Sequence, residues 1–246
     1  MTHFLLFFVS LWAGAQNALA GGGSFLTLPA LMFTGMDAQA ANITSCVGLF
    51  PSQIATAQAG RSHATGVAGL SLGRLTVISI VGGAIGAGIL LVTPPDYFAR
   101  LVPWLVLFAT VVFVWGSFFR RNDGAQYRIG PRAAALAQLL IAIYGGYFGG
   151  GIGFLMVAAL TLAGESVRAA GATKNVLAAV MNASAVGIFL FSPALHWPQA
   201  LATTVGATIG GLFGARLLNI LDEKLLRVFV ALIGAALTIG LFWKPA

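Results

Sequence analysis

The residues best equipped for chemistry are neutral hydrogen-bond donors and glycines set inside apolar sequence. Asn42 and Ser45 lie in one apolar stretch; Lys174, Asn175 and Asn182 lie in another. Two glycine clusters interrupt long apolar runs, Gly21-Gly22-Gly23 followed by Ser24, and Gly145-Gly146 with Gly149-Gly150-Gly151 followed by Ile152 and Gly153. Asn and Ser donate to an oxyanion without carrying charge, and Lys174 adds a cation. Glycine lets a ligand approach backbone amides closely. A helix that restarts after such a break presents free N–H groups at its N-terminus, a natural seat for an anion. The expected binding set is therefore Gly21, Gly22, Gly23, Ser24, Asn42, Ser45, Gly150, Gly151, Gly153, Lys174, Asn175 and Asn182.

Enzymatic chemistry finds no foothold. His3, His63 and His196 are far apart, and no Ser-His-Asp or Cys-His set suggests itself. No cluster has metal-ligand spacing, and no ATP-binding motif or cofactor signature is present. The expectation is a protein with no metal and no cofactor.

The elements that carry these residues must sit in lipid. The chain is 59% hydrophobic and 8% charged over 246 residues, with a mean hydropathy of +0.93. A soluble domain carries about 25% charged residues, so this chain has too little polar surface to cover a globule in water. Its net charge of +7 comes from Lys and Arg between apolar runs rather than along one stripe, which argues against nucleic acid. The single cysteine, Cys46, allows no internal disulfide and reads as a small buried apolar group. The N-terminal run Phe4–Trp12 with Ala18-Leu19-Ala20 imitates a signal peptide. It lacks a preceding Lys or Arg, and a similar segment recurs in mid-chain, so residues 1–20 are read as mature sequence.

The chain is written twice. The stretch from Gly21 to Leu31 aligns with Gly150 to Leu160 at a shift of 129, and Gly83 to Leu90 aligns with Gly211 to Leu218 at a shift of 128. Each half holds four apolar segments: Phe4–Met32, Ala40–Ala59, Leu75–Val92 and Tyr97–Phe119, then Ala133–Leu162, Ala169–Phe191, Leu195–Ala215 and Leu225–Trp243. Most reach the ~20 residues a helix needs to cross the hydrocarbon core. The expected organisation is all-α: a first transmembrane repeat over 1–120, a cytoplasmic linker over 121–132, and a second transmembrane repeat over 133–246.

Charge separates two topologies. If all eight segments cross, the sides carry seven and six Lys or Arg, with no bias. If the first segment of each half breaks at its glycines and returns, the second half is inverted. Then Arg61, Arg74, Arg120, Arg121, Arg128, Arg132, Arg168, Lys174, Arg216, Lys224 and Arg227 share one side, against Arg100 and Lys244 on the other. The positive-inside rule favours this inverted-repeat reading and places the larger set in the cytoplasm. No Lys or Arg precedes Arg61, so only the second break is fixed by charge, and the repeat carries the inference back to the first.

Backbone left bare in lipid costs several kcal/mol per group, about enough to require that each break be buried in protein or line a wet cavity. Gly82, Gly83, Gly86 and Gly88, with Gly206, Gly210, Gly211 and Gly214, fit close helix packing instead. Pro29 and Pro51 bend their segments. Asp37, Asp96, Asp123, Glu165, Asp222 and Glu223 all fall at segment ends or in loops. A proton relay or cation pathway usually places a carboxylate mid-membrane; its absence suits an anion.

The sequence resembles the sulfite exporter TauE/SafE family of bacterial membrane permeases. The resemblance rests on the stretch Ala20 to Leu31, on Ala41-Asn42-Ile43-Thr44-Ser45, and on the second copy through Gly149–Leu160 and Lys174-Asn175. The second copy departs from the first, with Ala158 where Pro29 stands and Ile152 where Gly23 stands. The resemblance implies movement of sulfite, sulfoacetate or another organosulfonate across the bacterial inner membrane, with a small anion and the lipid bilayer as partners. The expectation is a secondary transporter working by alternating access. An anion channel and a non-transporting scaffold subunit are the alternatives, and a homodimer is allowed.

Overall fold

The computed structural model describes residues 2–19, 22–115, 118, 129–217 and 223–243. It is all-helical, with ten α-helices among the described residues: α1 (Thr2–Leu19), α2 (Ser24–Met32), α3 (Ala38–Gly60), α4 (Leu72–Val92), α5 (Pro95–Val114), α6 (Pro131–Tyr147), α7 (Ile152–Leu162), α8 (Val167–Phe189), α9 (Trp197–Leu217) and α10 (Glu223–Trp243). The four expected segments of each half appear as five helices, because the glycine clusters split the first segment in two. Leu72–Val92, Pro95–Val114 and Ala169–Phe189 are each long and apolar enough to cross a membrane.

Local chemistry sets the boundaries. Asp37 caps α3 by accepting from the Ala40 amide at 2.9 Å, and Ser71 and Ser166 cap α4 and α8 in the same way. Pro95 and Pro131 open α5 and α6 at positions where the missing N–H costs nothing. Large apolar side chains such as Trp104, Phe108 and Leu140 remain exposed on the outer surface, as lipid contact requires.

Packing partners respect the repeat. α1 lies along α9 as α6 lies along α4; α3 packs on α9 as α4 packs on α8; α2 meets α3 and α10 as α7 meets α8 and α5. Exchanging each helix with the one five places on maps this pattern onto itself. The glycines are the reason for the closest approaches. A Cβ on Gly14, Gly206 or Gly210 would strike the backbone across the α1–α9 seam; across the α4–α6 seam one on Gly86 or Gly146 would strike the backbone and one on Gly82 the Ala142 side chain. Gly88 is the exception to the expected packing role: it faces open space, because its helical phase turns it off the seam that Gly82 and Gly86 share. The surroundings of Gly214, and residues 121–128 of the expected linker, lie outside the described residues.

Directions follow from which residues touch. Cys46 and Gln53 of α3 meet Asn182 of α8, and Gly60 lies against Ala172. As α3 advances, its contacts on α8 fall back, so these two equivalent segments run antiparallel. By the same argument α3 runs parallel to α9, since Thr44 meets His196, Gly48 meets Ala200 and Thr203, and Ser52 meets Gly211. The second broken segment closes on itself: the Ile129 amide, just before α6, donates to the Leu162 carbonyl at the end of α7 at 3.1 Å.

Candidate functional site

Both breaks are present, at Gly22-Gly23 and at Gly149–Gly151, whereas Gly145 and Gly146, expected to share the second break, lie inside α6, where close packing on Met181 and on the α4 backbone uses their small size. Gly22 has φ +84, and Gly23 forms the N-cap of α2, packed so closely on the Ala13 carbonyl and Asn17 that a Cβ would not fit. Gly149 and Gly151 have φ +78 and +73, and Gly151 caps α7 with its back against Ala109 of α5. These positive values are open to glycine at little cost and strained for other residues. Ser24 begins α2, as the sequence suggests; α7 begins at Ile152, one residue before the expected Gly153. Gly150 packs on the Phe148 ring, and Gly153 is buried in the first turn of α7. Gly21 lies outside the described residues.

One turn of α3 touches both breaks. The Ser45 hydroxyl bonds the Thr27 hydroxyl of α2 at 2.6 Å, four residues after the first break. Three residues earlier on the same helix, the Asn42 amide donates to the Tyr147 carbonyl at the end of α6, at 3.1 Å, where the second break begins. Asn42, Ser45 and Thr27 are all buried. Facing this turn from α8, Asn182 donates to the Gln53 side-chain oxygen at 2.5 Å, and Cys46 lies 4.0 Å from the Asn182 oxygen. Asn42, Ser45 and Asn182 thus belong to one polar seam between α3 and α8.

Lys174 and Asn175 lie elsewhere. They stand two turns nearer the start of α8, with Asn175 beside Gly60 at the far end of α3. Lys174 is only 8% exposed, so it does not snorkel to the surface, and among the described residues it forms no ion pair. A buried ammonium in that condition calls for an anionic or hydrogen-bonding partner. Beside it, Thr173 and Thr65 both donate to Glu165, at 3.2 and 2.7 Å, and the Thr65 amide donates to Thr173 at 3.0 Å. This ties the connection after α3 to the α7–α8 turn. Asp37 and Asp96 likewise stand at helix starts, and no carboxylate among the described residues lies on the α3–α8 seam.

Sequence reasoning did not single out Thr27, Tyr147 or Gln16. Gln16 donates to the Gly22 carbonyl at 3.2 Å and is 1% exposed. A polar side chain within two turns of a glycine break is the signal that points to Gln16 and Thr27; Tyr147 enters through its main-chain carbonyl, which no side chain announces.

The chain is similar to known membrane transporter proteins. The family described as Sulfite exporter TauE/SafE matches residues 6–241. The chain is 31% identical to the probable membrane transporter protein ORF9 of Sinorhizobium sp, over 98% of this chain and 92% of that one. It is 28% identical to the probable membrane transporter protein YfcA of Escherichia coli K12, over 97% and 89%, and 25% identical to a probable membrane transporter protein of Haemophilus influenzae, over 95% and 92%. No solved structure matches. With nearly its whole length matched, this chain belongs to the sulfite exporter TauE/SafE family of membrane transporters, and it is not an enzyme.

Proposed function

We propose that the protein is a secondary transporter of a small anion, sulfite or an organosulfonate, working by alternating access as a multi-pass protein of the bacterial inner membrane. The observation that carries this reading is the single turn of α3, Asn42 to Ser45, that contacts both helix breaks. The groups it contacts lie next to two helix N-termini in sequence, Thr27 in the first turn of α2 and Tyr147 just before the break that leads into α7, and each N-terminus presents the positive end of its dipole. Hydroxyls and amides surround them, and the carboxylates that would repel an anion are kept to helix starts. Lys174, buried two turns nearer the start of α8, supplies an attractive charge on the way in or out.

The proposed topology is an inverted pair. Its supports are the antiparallel run of α3 and α8, the closure of α6–α7 from Ile129 to Leu162, and the charge asymmetry of the loops. Each half then crosses three times and contributes one hairpin that returns to its own side. Eight crossings with parallel halves would instead require α3 and α8 to run the same way.

The test is flux. Purified protein in liposomes is expected to take up sulfite or an organosulfonate saturably and to exchange it against unlabelled anion on the other side. Flux that neither saturates nor counter-exchanges describes a channel; no flux of any such anion removes the reading. Topology is tested separately by a cysteine placed at position 216 in a Cys46→Ala background. Labelling from the cytoplasmic side alone is expected; labelling from the periplasmic side defeats the inverted arrangement.

A further inference from the structure

The seam between α3 and α8 is almost without formal charge, and that limits what it can hold. α2, α3 and α7 contain no Asp, Glu, Lys, Arg or His. α6 and α8 carry three charged residues between them: Arg132 and Arg168, each the second residue of its helix, and Lys174. Lys174 is the one charged side chain buried among the described residues, and it forms no ion pair with any of them. It stands eight residues before Asn182, about 12 Å along the helix axis. Glu165, the carboxylate closest to it along the chain, is half-buried and accepts from Thr65 and Thr173. That carboxylate can only reduce the positive charge Lys174 offers, so at most one formal charge is available to offset an occupant.

Neutral donors are few as well. Thr27 donates to the Gly23 carbonyl at 3.3 Å, so in its 2.6 Å bond with Ser45 it accepts, and both hydroxyl protons are committed. Asn42 uses one N–H on the Tyr147 carbonyl, and Asn182 uses one on the Gln53 oxygen. Each amide has two N–H groups, which leaves one on Asn42, one on Asn182 and the pair on Gln53. The Asn182 oxygen faces the Cys46 thiol at 4.0 Å, so the seam also presents an acceptor. The partial positive charges at the starts of α2 and α7 are offset within the same helices. These are only 9 and 11 residues long, so each negative pole lies within roughly 17 Å of the positive one.

We infer that the site takes a monoanion and rejects dianions: an organosulfonate or hydrogensulfite enters, and doubly charged sulfite and sulfate do not. This rests on the transporter reading of the same site and narrows it. The cost of taking an ion out of water grows with the square of its charge, so a dianion loses about four times what a monoanion of its size loses. A monoanion balanced by Lys174 leaves the buried region neutral. A dianion leaves it one charge short, in a medium where an unpaired charge is very costly. A sulfonate spreads one charge over three oxygens, and the free amide N–H groups can donate to them. Sulfite is a mixture near neutrality, because its second proton leaves in that range, and only the singly charged fraction fits.

The experiment is saturable uptake of labelled sulfite into liposomes carrying the full chain, at a series of pH values below and above neutrality, with protein-free liposomes subtracted. KM counted as total sulfite is expected to rise about tenfold for each pH unit above the second ionisation of sulfite, while KM counted as hydrogensulfite stays constant. Methanesulfonate, a monoanion throughout, should compete with a constant that does not move with pH, which controls for titration of the protein itself. Sulfate, a dianion throughout, should not compete. Gln53→Lys puts a second cation beside Asn182 and should lower the sulfate concentration needed for half-inhibition by about tenfold. A KM in total sulfite that is flat with pH overturns the proposal, as does sulfate competing as well as methanesulfonate. A folded Gln53→Lys protein that still ignores sulfate also overturns it, because missing charge would then not be the cause. Absence of flux for every anion is a different result: it removes the transporter reading, and the monoanion preference falls with it.

Discussion

Asn42→Ala separates a positioning role from a merely structural one. The Asn42 amide is the described partner of the Tyr147 carbonyl, at 3.1 Å, and that carbonyl sits where α6 ends and the glycine break begins. Leaving a buried carbonyl unpaired costs about 1–3 kcal/mol in a soluble protein. Between membrane helices the measured coupling averages about 0.6 kcal/mol, because the unfolded chain in the bilayer finds other partners. The membrane figure governs here, so unfolding in mixed micelles should shift by only about 1 kcal/mol. Flux should fall much further. The break that Asn42 steadies carries Gly149 to Gly151, whose amides start α7, and a displacement of about 1 Å at a positioned group costs on the order of a hundredfold. Initial uptake rates in liposomes, normalised to folded protein, are the assay. A loss of flux no larger than the stability change explains would show that Asn42 only holds two helices together.

The remaining predictions test the glycines and the buried cation. Gly86→Ala forces a methyl into the Ile143 carbonyl and is expected to reduce the yield of folded protein sharply on size-exclusion chromatography, whereas Gly88→Ala, facing open space, should match the parent. Gly151→Ala meets both a φ of +73 and the Ala109 Cβ at 2.7 Å. The left-handed backbone alone costs roughly 1–2 kcal/mol, so chemical unfolding should show a loss of at least that size. Lys174→Met should raise the KM for the anion several-fold in uptake assays while the protein melts no lower, because it removes a buried charge that pairs with no residue described.

Element positions were legible because lipid imposes length and composition, and glycine marks its interruptions. The start of α2 at Ser24 follows from three consecutive glycines before it; the start of α7 is one residue early because Ile152, not glycine, occupies the equivalent of Gly23. Contacts were less legible. The repeat makes Ser52 the counterpart of Asn182, yet Asn182 bonds Gln53, since equivalence within a duplicated chain says nothing about which residues meet at a crossing. The Thr65–Thr173–Glu165 cluster joins residues about a hundred positions apart and has no periodicity to announce it. Sequence alone puts Lys174 beside the breaks or at the membrane edge. The antiparallel crossing carries the start of α8, with Lys174, to the far end of α3 and away from both breaks.

The packing pattern also bears on how such a chain would move. α1 and α3 pack on α9, which belongs to the second half, with α2 against α1 and α3; α6 and α8 pack on α4, which belongs to the first, with α7 against α6 and α8. The tight units are therefore two lobes that have exchanged their third segments, and not the two halves of the sequence. The seams within each lobe are locked by glycine contacts too close to slide: Gly206 and Gly210 on α1 in one, Gly82 and Gly86 on α6 in the other. The lobes are joined by the α3–α8 seam with its Asn182–Gln53 bond, the α5–α10 contact, the bond from Asn42 to Tyr147, the two bonds from Gln39 to the Leu90 and Thr93 carbonyls, and a shared apolar core. Hydrogen bonds between side chains can be broken and remade at little net cost, whereas interlocked backbones cannot. On the alternating-access reading proposed above, rocking of lobe against lobe would carry the first break with one lobe and the second break with the other. An anion held at both N-termini would then be gripped or released according to the angle between them.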